Sequence, residues 1–163
     1  MLIEHFIEIE PFEWPSIGAA LFCGGVIGLE RQLRGKPVGI RTASMITLGT
    51  YMFLATSYLL ASNQMDPSRV VGQVITGIGF LGAGVMLARD GAVVGVTSAA
   101  TIWVLAALGV MVASGHLAVA IKLSLLVVLL LWGVDFLERH VTSLGRGVHA
   151  HVKKKINLGS EVG

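Results

Sequence analysis

The sequence predicts an all-α, polytopic integral membrane protein with five transmembrane helices, its N-terminus outside and its C-terminus cytoplasmic. Three observations carry that prediction. Hydrophobic residues make up 54% of the 163 residues and charged residues only 13%, about half the share of a typical soluble domain. The charges that remain are clustered, leaving long uncharged runs between them. The cations fall almost entirely on alternate loops, as the positive-inside rule requires. An ordinary soluble enzyme, a disordered chain and a nucleic-acid binder with a basic face are thereby excluded. The 21 glycines among 163 residues suit closely packed membrane helices.

Uncharged runs at 14–29, 42–65, 70–88, 91–121 and 123–134 set the spans. A crossing helix needs about 20 apolar residues. The Ser114-Gly115-His116 turn divides the long fourth run, and Lys122 snorkels to join the last one. Five spans result, at about 14–31, 41–60, 69–88, 97–114 and 117–137. Residues 1–13 form an external segment and 138–163 a short basic cytoplasmic tail. Glu4, Glu8, Glu10 and Glu13 are the reverse of a basic leader, so no cleavable signal is expected. Ile3, Phe6 and Ile7 can rest that segment on the interface.

Arg31, Arg34, Lys36, Arg41, Arg89, Arg139, Arg146, Lys153, Lys154 and Lys155 lie on the inner side. Arg69 and Lys122 lie on the outer side. Span one carries Ala20, Gly24 and Gly28, the last two a GxxxG pair. Span two carries a hydroxyl stripe of Thr47, Thr50 and Ser57. In span three Gly72, Thr76, Gly79 and Ala83 share one stripe at helical spacing, widened by Gln73, Gly77 and Gly84, with Gly82 nearby. Its bulky face, Val70, Val74, Ile78, Leu81 and Val85, is expected to meet lipid. The small face is expected to meet another helix. A helix broken among Gly77, Gly79, Gly82 and Gly84, freeing carbonyls for a ligand, is the alternative. Span four offers Ala106, Gly109 and Ala113. Leu123–Leu131 of span five reads as a lipid-facing wall.

Asp66 and Pro67 are an N-cap and a first helical residue. Arg69 opposes both the helix dipole and the positive-inside rule, so a pairing role is expected for it. Thr97 or Ser98 is expected to cap span four. Asp135, Glu138 and Arg139 read as a solvated helix end. At the cytoplasmic ends of spans one and two, a functional polar cluster of Glu30, Arg31, Arg41 and Thr42 is expected, with a Glu30–Arg41 ion pair at its centre. An unpaired Glu30 carboxylate would sit close to hydrocarbon.

Gly28-Leu29-Glu30-Arg31 followed by Gly35-Lys36-Pro37-Val38-Gly39-Ile40-Arg41-Thr42 resembles the first signature of the MgtC/SapB membrane proteins. Asp66-Pro67-Ser68-Arg69 with Gln73 through Gly84 resembles the second. Gly95 through Trp103, which includes Thr97 and Thr101, resembles the third. The resemblance spans about residues 15–137. It implies a five-span bacterial inner-membrane protein tied to growth in low magnesium and, in intracellular pathogens, to survival inside host cells. Longer members append a small soluble domain. Residues 138–163 are too few for it, so a short form consisting of the transmembrane domain is expected.

Two functions are weighed. A carrier or channel subunit for Mg²⁺ or another cation would want one or two carboxylates with octahedral oxygen geometry. Glu30, Asp90 and Asp135 lie near the inner edge and Asp66 near the outer edge, none at mid-membrane. Thr47, Thr50, Gln73, Thr76 and Thr101 would leave a divalent ion poorly compensated. A regulator acting by helix–helix contact with a membrane partner is therefore preferred, with cation transport as the alternative. A homo-oligomer, a dimer as first guess, is expected within the lipid bilayer. No nucleic-acid partner, cofactor or catalytic residue is expected, and no metal site is assigned. Cys23 is a buried hydrophobe. His149 and His151 fall in a basic tail.

Overall fold

The computed structural model describes residues 9–60, 66–89 and 92–140. The amphipathic N-terminal segment around Ile3, Phe6 and Ile7, Asp90 and the tail from residue 141, with its histidines and lysines, lie outside the described residues, as do the side chains of Arg89, Glu138 and Arg139.

Among the described residues five helices follow one another: α1 (Trp14–Leu33), α2 (Ile40–Leu60), α3 (Pro67–Gly84), α4 (Val96–Ala113) and α5 (Leu117–His140). Between α3 and α4 lies a hairpin of β1 (Leu87–Arg89) and β2 (Ala92–Val94), antiparallel with Leu87 opposite Val94. That hairpin corrects the expected third span, which ran to residue 88; the helix stops at Gly84. Among the described residues three helices, α2, α4 and Leu117–Leu137 of α5, are long and apolar enough to cross a membrane. By the same measure α1 and α3 fall short: α1 carries Glu30 and Arg31, and α3 carries Arg69 and Gln73.

Side-chain size explains the packing. A methyl group at Gly24 would lie 2.6 Å from Ser44 Cα and 2.8 Å from the Ala43 carbonyl. One at Gly28 would lie 2.6 Å from Ile40 Cα. The GxxxG pair therefore seats α1 directly on the α2 backbone. Gly109 repeats the device further along α2, against Thr47 and Thr50. The hydroxyl stripe of α2 is thus a seat for α4, and Thr47 and Ser57 satisfy their hydroxyls on their own helix carbonyls. α5 packs across α1 and keeps Leu125, Leu126, Leu129 and Leu130 exposed. Ahead of α1, the Glu13 N–H donates a hydrogen bond to the Tyr51 hydroxyl of α2 at 2.9 Å.

The helix ends follow from local chemistry. Asp66 caps α3, accepting from the Ser68 N–H at 2.9 Å and the Ser68 hydroxyl at 2.7 Å. Those bonds, the hydroxyl's foremost, hold its carboxyl below the ordinary range. The cap is therefore at full strength above that range and weakens as pH falls through the depressed value. Gly95, not Thr97 or Ser98, caps α4: its φ is 93°, and a side chain there would collide with the Val85 carbonyl.

α3 is one continuous helix, so the broken-helix alternative does not hold. Its bulky face also departs from the expectation that it meets lipid. Val74 and Ile78 turn inward against α4, and Ile78 and Val85 join the core. Gly72, Gln73, Thr76, Gly79 and Ala83 are exposed, and nothing lies within 4 Å of a side chain added at Gly72 or Gly79. The reason is that α4 presents Ala106 and Ala107 to α3, leaving room for branched side chains. Of the α3 glycines only Gly82 faces another helix: a methyl group there would lie 3.6 Å from the Ala99 carbonyl. Between α3 and α4 runs an apolar groove of about 280 Å³, floored by those alanines and edged by Trp103.

Candidate functional site: a buried ionic junction

The GxxxG contact that seats α1 on α2 leaves the last turn of α1 pointing at α4 and α5. Glu30 and Arg31 there are only 8% and 4% exposed. Arg31 Nη2 donates to Ser98 Oγ of α4 at 2.6 Å. Arg34 Nε lies 2.5 Å from Glu30 Oε1, and Arg34 Nη1 pairs with Asp135 Oδ2 of α5. Two guanidinium groups and two carboxylates therefore join three helices at one end of the bundle, with balanced formal charge. Charges taken out of water are tolerated only when paired in this way.

Satisfaction is incomplete. The Glu30–Arg34 contact is close in charge but lacks hydrogen-bond alignment, and neither carboxylate oxygen of Glu30 has a hydrogen-bond partner among the described residues; nor does Arg31 Nε. Beside the junction, Val38 holds a φ of 68°, a conformation that a β-branched residue rarely adopts. Its side chain is buried in the core, and that packing holds the strained loop.

The expected Glu30–Arg41 pair is not formed. Ile40, Ala43 and Ser44 form the stripe of α2 facing α1; Arg41 is turned about 100° from Ile40 by the helix and is exposed, as is Thr42. Glu30 and Arg31 are brought together, while Arg41 and Thr42 are not part of the junction. Arg34, Ser98 and Asp135 take their places. The Glu30–Arg34 spacing of i,i+4 was a visible signal; Ser98 and Asp135 carried none, since they meet α1 only through tertiary packing. Asp135, read as part of a solvated end, is instead a partner in the junction.

Asp66, Arg69, Gln73 and Thr76 lie on the exposed side of α3. Thr97 is exposed and accepts from the buried Thr101 hydroxyl at 2.7 Å; Thr76 donates to the Gly72 carbonyl at 3.0 Å. These hydroxyls are directed at their own helices rather than toward a common point. Among the described residues no group of three or more histidines, cysteines or carboxylates could hold a metal.

The sequence profile of the MgtC family matches residues 17–140, the whole of the bundle from the first turn of α1 to the end of α5. The chain belongs to the MgtC family. YhiD of Escherichia coli strain K12, provisionally named a magnesium transporter, is 43% identical over 120 residues, covering 69% of this chain and 55% of that protein. Protein MgtC of Brucella abortus strain 2308 is 41% identical, covering 64% and 44%. Protein SapB of Bacillus subtilis strain 168 is 37% identical, covering 89% and 64%. The chain thus spans roughly half to two thirds of the length of these curated relatives. No solved structure matches. The ionic junction and the open face of α3 both lie within the MgtC-matched region.

Proposed function

We propose that this MgtC-family chain is a regulatory protein of the bacterial inner membrane that works by contact between the open face of α3 and another membrane protein, in adaptation to low magnesium. One observation carries the reading. The exposed side of α3 bears Arg69, Gln73 and Thr76 beside Gly72, Gly79 and Ala83, polar and small groups together. Lipid does not solvate an arginine or an amide, while small residues let a second backbone approach closely. The reading takes α1 and α3 as spans alongside the three strongly apolar helices. It takes the N-terminus as outside, because exposed Lys36 and Arg41 lie in or beside the α1–α2 connection. The magnesium in the name of YhiD supports the physiological setting.

The test uses a strain that depends on this chain for growth in low magnesium. Gly79→Leu fills the open face, where nothing lies within 4 Å of an added Cβ, so it should abolish growth while leaving membrane abundance unchanged. Ile78→Leu, on the inward face, should grow normally. Equal growth of the two variants would remove the open face from the function.

A further inference from the structure

Asp66, Arg69, Gln73, Thr76, Phe80 and Ala83 of α3 follow one another at steps of three and four residues. That alternation is the seam spacing of two helices packed along their length. All six positions are exposed, Phe80 by 78%. The opposite face of α3, through Val74 and Ile78, is already used against α4. A helix with a core-facing side and a second seam has two partners, of which the chain supplies one.

We propose that a second copy of this chain covers that seam, α3 against α3 about a two-fold axis along the membrane normal, with the Gln73 amides hydrogen-bonded to each other across the axis. The proposal rests on the reading of α3 as a contact helix and names its partner. Three features favour self-pairing over a different protein. First, the amide of Gln73 is self-complementary: its NH₂ donates and its carbonyl accepts, so two copies on an axis satisfy one another. A single amide at a seam position is a known means of fixing register and copy number. Thr76 needs no such partner, because its hydroxyl already donates to the Gly72 carbonyl. Second, Gly72 and Gly79 flank the seam with open space beside them, so both backbones can come close enough for an amide pair. Third, opposite charges stand one turn apart at the outer end, Asp66 and Arg69. Two-fold symmetry places each Arg69 diagonally near the other copy's Asp66. That pairing supplies the role that Arg69, on the wrong side for the positive-inside rule, otherwise lacks: it has no ion pair among the described residues. The lower half, Phe80 and Ala83, is apolar and closes against itself.

Disulfide trapping in native membranes tests the pairing. In a Cys23→Ala background, Thr76→Cys and Ala83→Cys lie on the seam, and Leu129→Cys on the exposed wall of α5 reports random collision. Mild oxidation should convert the two seam variants largely to covalent dimers and leave Leu129→Cys monomeric. Adding Gln73→Leu to Ala83→Cys should slow dimer formation by about threefold to twentyfold, the range of interhelical hydrogen bonds in membranes, and Gln73→Asn should slow it less. Absence of seam disulfides, or equal rates at Leu129→Cys, overturns the self-pairing. Indifference to Gln73→Leu overturns the amide pair. If Gly79→Leu abolishes growth while the seam variants stay monomeric, the face serves a different protein and only the self-pairing fails. If the disulfides form but Gly79→Leu grows normally, the dimer stands and the regulatory reading fails.

Discussion

Gly24→Ala should leave little folded protein, while Gly25→Ala, one residue along the same helix, should be tolerated. The difference is geometric. A methyl group on residue 24 would lie 2.6 Å from Ser44 Cα and 2.8 Å from both the Ser44 nitrogen and the Ala43 carbonyl, all backbone. Backbone cannot rotate out of the way as a side chain can, so α1 and α2 must separate. Around Gly25 nothing lies within 4 Å. Separation would not stay local. The α1–α2 contact positions the last turn of α1, and with it both Arg31 and Arg34. We expect Gly24→Ala to lose roughly 3 kcal/mol, the upper end for overpacking, and Gly25→Ala to change stability by less than about 1 kcal/mol. Thermal unfolding in detergent, followed by the monodisperse fraction that survives heating, measures both. Equal loss from the two alanines would mean that α1 does not sit on α2 as described.

Arg34→Gln is the second large effect. Arg34 is the cation that touches both Glu30 and Asp135. Removing it strands the Glu30 carboxylate, 8% exposed and without a hydrogen-bond partner among the described residues. Breaking a buried pair from one side costs about 3–5 kcal/mol; the partial exposure of Arg34 argues for the lower end. Glu30→Gln on top of Arg34→Gln should restore much of the loss, because the stranded charge is gone. Arg41→Gln, on an exposed side chain, should change stability by less than about 0.5 kcal/mol. Unfolding of Arg34→Gln, Glu30→Gln, the double variant and Arg41→Gln under one detergent condition measures the coupling. A double variant as unstable as the sum of its parts, or an Arg41→Gln as damaging as Arg34→Gln, would contradict the junction.

The contrast between Arg34 and Arg41 shows where the sequence was legible. Uncharged runs located the helices, because a charge is costly in hydrocarbon and therefore marks an edge. The Gly24–Gly28 pair announced a close helix contact for the same steric reason that the structure displays. The partner of Glu30 was harder to identify. Both arginines are near in sequence, and the choice depends on which way α2 faces α1, which Gly24 and Gly28 decide through Ile40, Ala43 and Ser44. Ser98 and Asp135 were further out of reach, since each meets α1 only after α4 and α5 have packed.

The inward turn of the bulky face of α3 is hidden in the sequence for a different reason. In water, hydrophobicity distinguishes inside from outside. In a membrane both sides are apolar, so bulky Val74 and Ile78 suit lipid and a groove in α4 equally well. Only the alanines at 106 and 107 settle the matter, and they lie some thirty residues along the chain. The hairpin at Leu87–Val94 was hidden by the same ambiguity: a short apolar run bounded by charge fits the end of a span as readily as a strand.

The central claim is that protein, not lipid, covers the open face of α3. Phe80, in its lower half and 78% exposed, can be replaced by a photoreactive benzoyl-phenylalanine with little change in shape, and Phe53 on α2, 68% exposed, serves as the lipid-facing control. After irradiation of native membranes at normal expression, the account predicts a protein adduct from position 80 and lipid adducts alone from position 53. Lipid adducts alone from both positions would contradict it.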